Sequence, residues 1–148
     1  MEKRNIKLDV DGIAEALDFV SETLRRYGQK EKIIYETMLL TEESMVDLIQ
    51  AAPENSVVQI SIRRNIGIAT VRLVAPGELM EAGKNVSIDL DMEMEAMESE
   101  AESAIRNILL RSYAEKLKYS HKNGYNTVKI IAGMVESQLA ALTMISIP

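Results

Sequence analysis

Two carboxylates, Glu43 and Asp47, stand four residues apart in the run Leu39-Leu40-Thr41-Glu42-Glu43-Ser44-Met45-Val46-Asp47-Leu48-Ile49. If that run is helical, the spacing puts both on one face. A pair of this kind activates a water or holds a hydrated metal ion when something anionic lies beside it. The plain alternative is a solvated helix face, the ordinary fate of charges at this spacing. A further one is an ion pair between Glu43 and an arginine such as Arg63, Arg64 or Arg72, which would add little stability at a surface.

The elements that must position these residues follow from hydrophobic period. Ile6-Lys7-Leu8-Asp9-Val10 alternates as a half-buried strand does. Asp11-Gly12 breaks it, with Asp11 placed to cap a helix. Ile13, Leu17, Val20, Leu24 and Tyr27 form one stripe of that helix, which ends at Gly28. A second helix, carrying Glu43 and Asp47, runs from about Lys30 to Ala52 and stops before Pro53. Val57–Ile62 and Ile68–Val74 are β-branched and alternating, and Asn65 to Gly67 joins them as a hairpin. Ala75-Pro76-Gly77 ends the hairpin. Residues 78–102 lose periodicity and turn acidic, with Lys84 as the sole basic residue. A third helix is expected from about Glu100 to Tyr119, with Ile105, Ile108, Leu109 and Leu117 inward. Lys116, Lys118 and Lys122 would then suit the negative end of its dipole. A turn at Asn123-Gly124, with His121 exposed beside it, leads to a strand at Thr127–Ile131, and a last strand follows at Ala141–Ile147. The expected fold class is α+β: a two-layer α/β sandwich, with three main helices on one face of a mixed, mostly antiparallel sheet. No repeat or long linker divides residues 1–148, which read as a single domain.

Composition narrows the function. The chain has no Cys, so disulfide scaffolds, thiol catalysis and zinc–thiolate sites are excluded. One His cannot build a multi-His metal centre. The net charge of −6 argues against nucleic acid as the main partner, because backbone binding needs clustered Lys and Arg. Nine Met and a single Phe make the core aliphatic and partly thioether. No apolar run approaches the ~20 residues of a membrane span. Met1-Glu2-Lys3-Arg4 has no apolar signal region, which points to a cytoplasmic location.

The order of these elements, with the Leu39–Ile49 motif, resembles the ATP-binding fold shared by gyrase, Hsp90, histidine kinases and the mismatch-repair protein MutL (the GHKL superfamily). It is most similar to the short bacterial anti-sigma-factor serine kinases. Leu39–Ile49 looks like the second helix of that family, its N box. Glu42-Glu43 matches the family's acidic pair, and Asp47 stands where the family has Asn. Ile13–Tyr27 looks like the first helix. Arg106–Ile130 looks like the last helix, turn and strand. The resemblance implies that Glu43 would polarise the attacking water or hydroxyl, the catalytic role. It implies that Asp47, with Glu43, would hold Mg²⁺ against the triphosphate of ATP, and that Gly77 would belong to the nucleotide-binding turn.

Two departures from the family pattern bear on that inference. The family's Asp that accepts a hydrogen bond from the adenine amino group is replaced, in Val74-Ala75-Pro76-Gly77, by Ala75. A site built on that bond loses its discrimination without the acceptor. The glycines that cradle phosphate at a helix N-terminus have no counterpart in residues 91–102, which hold no Gly and many carboxylates. Each close like-charge pair with a triphosphate there costs ~1 kcal/mol or more. Residues 78–102 would thus be an acidic equivalent of the family's lid. Alternatively they are a solvated loop, or a docking element in which Met92, Met94 and Met97 give adaptable contact.

The expectation is a non-catalytic regulatory or interaction domain on a degenerate ATP-binding fold, with no nucleotide cofactor. Domains resembling it occur as cytoplasmic appendages of bacterial multidrug exporters and dicarboxylate symporters. The partner would then be another protein or a parent membrane protein, and a homodimer is a further expectation from the family. The alternatives are a weak Mg²⁺-dependent nucleotide or small-ligand binder, and an active serine kinase of the anti-sigma type.

Overall fold

The computed structural model describes residues 1–80 and 116–133. Their order is β1 (Glu2–Lys7), α1 (Val10–Arg26), α2 (Glu31–Ala51), β2 (Val57–Asn65), β3 (Ile68–Pro76), β4 (Leu117–Lys122) and β5 (Tyr125–Gly133). The strands form one sheet in the order β1-β2-β3-β5-β4. Every pairing in it is antiparallel, so the mixed sheet expected from the sequence is not seen among the described residues.

The sheet has two unlike faces because alternate residues point to opposite sides. Ile6, Val58, Ile60, Ile62, Val71, Leu73, Val128 and Ile130 point inward and are almost wholly buried. Both helices lie against them and contribute Val20, Leu24, Ile34, Met45 and Leu48 to a single core. The other face carries Lys3, Ser61, Arg72 and Lys129, which are in register across four neighbouring strands.

Asp9, not Asp11, caps α1: its carboxylate accepts the Gly12 N–H at 2.7 Å. Asp11 instead occupies the first turn, where its charge suits the dipole. The strand expected at Ile6–Val10 accordingly lies earlier, at Glu2–Lys7, in register with β2. Gly12 is needed at its position, because a Cβ there would sit 1.8 Å from the Lys7 carbonyl oxygen. The inward stripe of α1 is Ala16, Phe19, Val20, Thr23 and Leu24, and Arg4 caps the Phe19 ring with its guanidinium 4.7 Å from the centroid.

The two hairpins close through tight turns. Ile66-Gly67 joins β2 to β3, with Gly67 at φ 76°. Asn123-Gly124 joins β4 to β5 with both residues at positive φ, the geometry that favours this dipeptide. Leu117 to Tyr119 therefore belong to a strand and do not end a third helix. Tyr119, Lys118 and Lys122 alternate across an antiparallel ladder with β5, so the expected placement of those lysines at a helix C-terminus is corrected. The reason is local: the turn at Asn123-Gly124 pairs the residues before it with those after it, and that pairing overrides the helical spacing of Leu117. Lys116 bonds Glu36 and ties the start of β4 to α2. The remainder of the segment expected as a third helix and the strand expected at Ala141–Ile147 lie outside the described residues, as does most of the acidic segment.

Among the described residues no helix is long and apolar enough to cross a membrane.

Candidate functional site

Glu43 and Asp47 lie on α2, as the period of that helix requires. The inward positions on either side of them, Leu40, Ser44, Met45 and Leu48, are buried. Glu43 is exposed and Asp47 half-buried, so the pair sits at the margin between core and solvent. Burial pushes the Asp47 carboxyl above its ordinary value, and the neighbouring Glu43 charge pushes it the same way. The two carboxylates therefore interact on one face.

The arginines considered as partners for Glu43 stand elsewhere. Arg63 and Arg72 are on the open side of the sheet, away from the helices. Arg64 lies over the Tyr27 ring at the end of α1, 5.5 Å from its centroid.

Gly77 is not beside the pair. A Cβ on Gly77 would be 2.8 Å from the Ala51 carbonyl oxygen and 3.0 Å from Nδ2 of Asn126. The glycine thus permits the end of β3 to pass close to the last turn of α2. Asp47 is four residues from Ala51 and Glu43 eight, so they lie roughly 6 and 12 Å farther back along the helix axis. A shallow depression of about 480 Å³ opens at this end of the molecule, lined by Gln50, Ala51, Pro53, Gly77 and Gly124 among others, and neither carboxylate borders it.

The strongest polar constellation at the β3 exit was not evident from the sequence. Asn126 is fully buried and sits across the ladder from Ala75. Its Nδ2 donates to the Glu78 carbonyl at 2.7 Å, and its Oδ1 accepts the Tyr119 hydroxyl proton at 2.6 Å. That hydroxyl accepts the Met80 N–H at 2.8 Å. The Glu78 N–H donates to the Ala51 carbonyl at 3.0 Å and the Gly77 N–H to the Gly124 carbonyl at 2.9 Å. Nε2 of His121 lies 3.0 Å from the Gly77 carbonyl oxygen, which selects the tautomer protonated at Nε2. His121 is thus a strand residue bound to the β3 exit, where the sequence suggested only a turn residue. The one legible signal was an Asn in an otherwise apolar inward row, Asn126, Val128 and Ile130.

Ala75 is fully buried. Its methyl group joins the core. Among the described residues no cluster of His, Asp and Glu has the composition and geometry of a metal centre.

No protein-family model matches the chain, and no curated protein does.

Proposed function

We propose that the chain is a non-catalytic regulatory or interaction domain whose architecture is that of a degenerate ATP-binding fold. The observation that carries this reading is the packing around Ala75. The residue that would have to accept the adenine amino group is a fully buried methyl. The nearest buried polar side chain, Asn126, has both ends of its amide engaged within the fold. Gly77, which would line the nucleotide turn, is occupied in packing against Ala51. Among the described residues, Asn126, the buried polar side chain at the β3 exit, is spent on the fold itself.

The surface of α2 supports an interaction role. Tyr35, Leu39 and Val46 are exposed apolar residues at helical spacing on the side turned from the core. A protein partner, or a parent membrane protein of the exporter or symporter kind, would supply the complementary surface. The domain would then work at the cytoplasmic face.

The test is residue-resolved. Amide resonances of Ala75, Gly77 and Asp47 are followed while ATP and Mg²⁺ are added to the full chain. No shift at these positions and no release of phosphate is the expected result. Shifts at Ala75 and Gly77 that disappear in Asp47→Ala would overturn the reading in favour of Mg²⁺-dependent nucleotide binding. Labelled phosphate transferred to a protein would overturn it in favour of a kinase.

A further inference from the structure

The open face of the sheet concentrates cations in a chain of net charge −6. Register places Lys3, Ser61, Arg72, Lys129 and Lys118 in one row across all five strands. Arg63, beside Thr70 in the adjacent row, adds to it. No Asp or Glu occupies an outward position on any described strand. Lys3, Arg63, Arg72 and Lys129 border a depression of about 370 Å³, a volume typical of small-ligand sites. Ser61 and Thr70 line the same depression and offer hydroxyl donors between the cations.

The arrangement is unfavourable as it stands. Arg72 and Lys129 face each other directly across the ladder, as do Lys129 and Lys118. Like charges placed opposite one another weaken a sheet. Among the described residues none of the four cations around the depression forms an ion pair. An anion seated there would relieve the repulsion and gain charge-assisted hydrogen bonds from the guanidinium groups.

We propose that this depression is a binding site for a soluble, multiply phosphorylated small anion. Charge density selects the class. Neighbouring strands are ~4.8 Å apart, so the Ser61, Arg72 and Lys129 positions span about 10 Å. Carboxylates on one side of an extended peptide recur every ~6.6 Å and carry one charge each. Linked phosphoryl groups supply more negative charge over that length. Single-stranded nucleic acid would need aromatic platforms for its bases, and among the described residues no Phe, Tyr or Trp borders the depression. The site lies on the opposite side of the sheet from Glu43 and Asp47, so it is independent of the nucleotide question above.

The probe is inorganic tripolyphosphate without Mg²⁺, added to the full chain and followed by amide shifts and by titration calorimetry. The expected result is saturable binding that shifts Ser61, Thr70 and Arg72 and weakens as salt is raised. Arg72→Gln and Lys129→Gln each lower the affinity about tenfold, the loss of one charge-assisted contact, while Glu43→Gln leaves it unchanged. Arg72→Lys, which keeps the charge but not the fork, binds with intermediate affinity. Absence of shifts on this face overturns the proposal, as does affinity that is unaltered in both Gln variants with unchanged thermal unfolding. Binding to vesicles containing a phosphoinositide with no response to tripolyphosphate overturns it in favour of a membrane headgroup. Saturation by a short single-stranded oligonucleotide alone overturns it in favour of nucleic acid.

Discussion

Individual side chains at the β3 exit and on α2 carry the sharpest consequences. Asn126 satisfies one carbonyl and one hydroxyl inside the fold, so Asn126→Leu removes the donor to the Glu78 carbonyl and the acceptor of the Tyr119 hydroxyl proton, and lowers stability by about 1–3 kcal/mol in urea unfolding. Ala75→Asp forces a carboxylate into a fully buried position. It costs at least ~2 kcal/mol by the same measurement and does not create ATP affinity. Micromolar ATP binding by that variant would refute the argument from the acidic segment. Asp47 behaves in the opposite sense. Its folded-state pKa is raised above the ordinary 3.8, so the folded protein binds protons more tightly than the unfolded chain. Stability contributed by Asp47 therefore falls as pH rises from 3.8 through the raised value, and the penalty is complete above it. Asp47→Asn removes this dependence and stabilises the protein at neutral pH by roughly 0.2–0.5 kcal/mol, the size of a relieved like-charge pair on a helix. Urea midpoints of the two proteins should converge on acidification.

Elements impose their own constraints. The close passage of β3 over α2 rests on Gly77, whose missing Cβ leaves room for the Ala51 carbonyl. Gly77→Ala forces the two apart and should cost about 1–3 kcal/mol, with amide shifts concentrated at Ala51, Glu78 and Asn126. Both helices, both turns and strands β2, β3 and β5 were readable because each has a local cause, a period or a Gly at positive φ, whereas the α1 cap and the bounds of β1 fall earlier in the chain than expected. The Leu117–Lys122 segment was not readable. Its apolar residues suit a helix or a strand equally, and only the ladder with β5 decides between them. The Glu43–Asp47 pair was legible as a shared helix face. Its distance from Gly77 was not, since that depends on how β3 crosses α2.

At the scale of the whole molecule, one core joins both helices to the sheet. Leu73 is fully buried at its centre, and Leu73→Ala should cost about 2–5 kcal/mol. Helix-sensitive and sheet-sensitive probes should still report one coincident transition in that variant, because neither layer has a core of its own. Sequence by itself determined that both helices and strands β2, β3 and β5 have a buried and a solvated face, which is why a helical layer packs on an antiparallel sheet. It also determined that thiol chemistry is excluded and that Ala75 offers no acceptor. Tertiary structure alone decided which distant residues meet. It gathered Tyr119, Asn126 and His121 at the β3 exit, set Glu43 and Asp47 apart from Gly77, and aligned Lys3, Arg72 and Lys129 on one surface. The physical reason is that period and charge are properties of neighbours along the chain, whereas register and crossing are fixed by contacts between elements far apart in it.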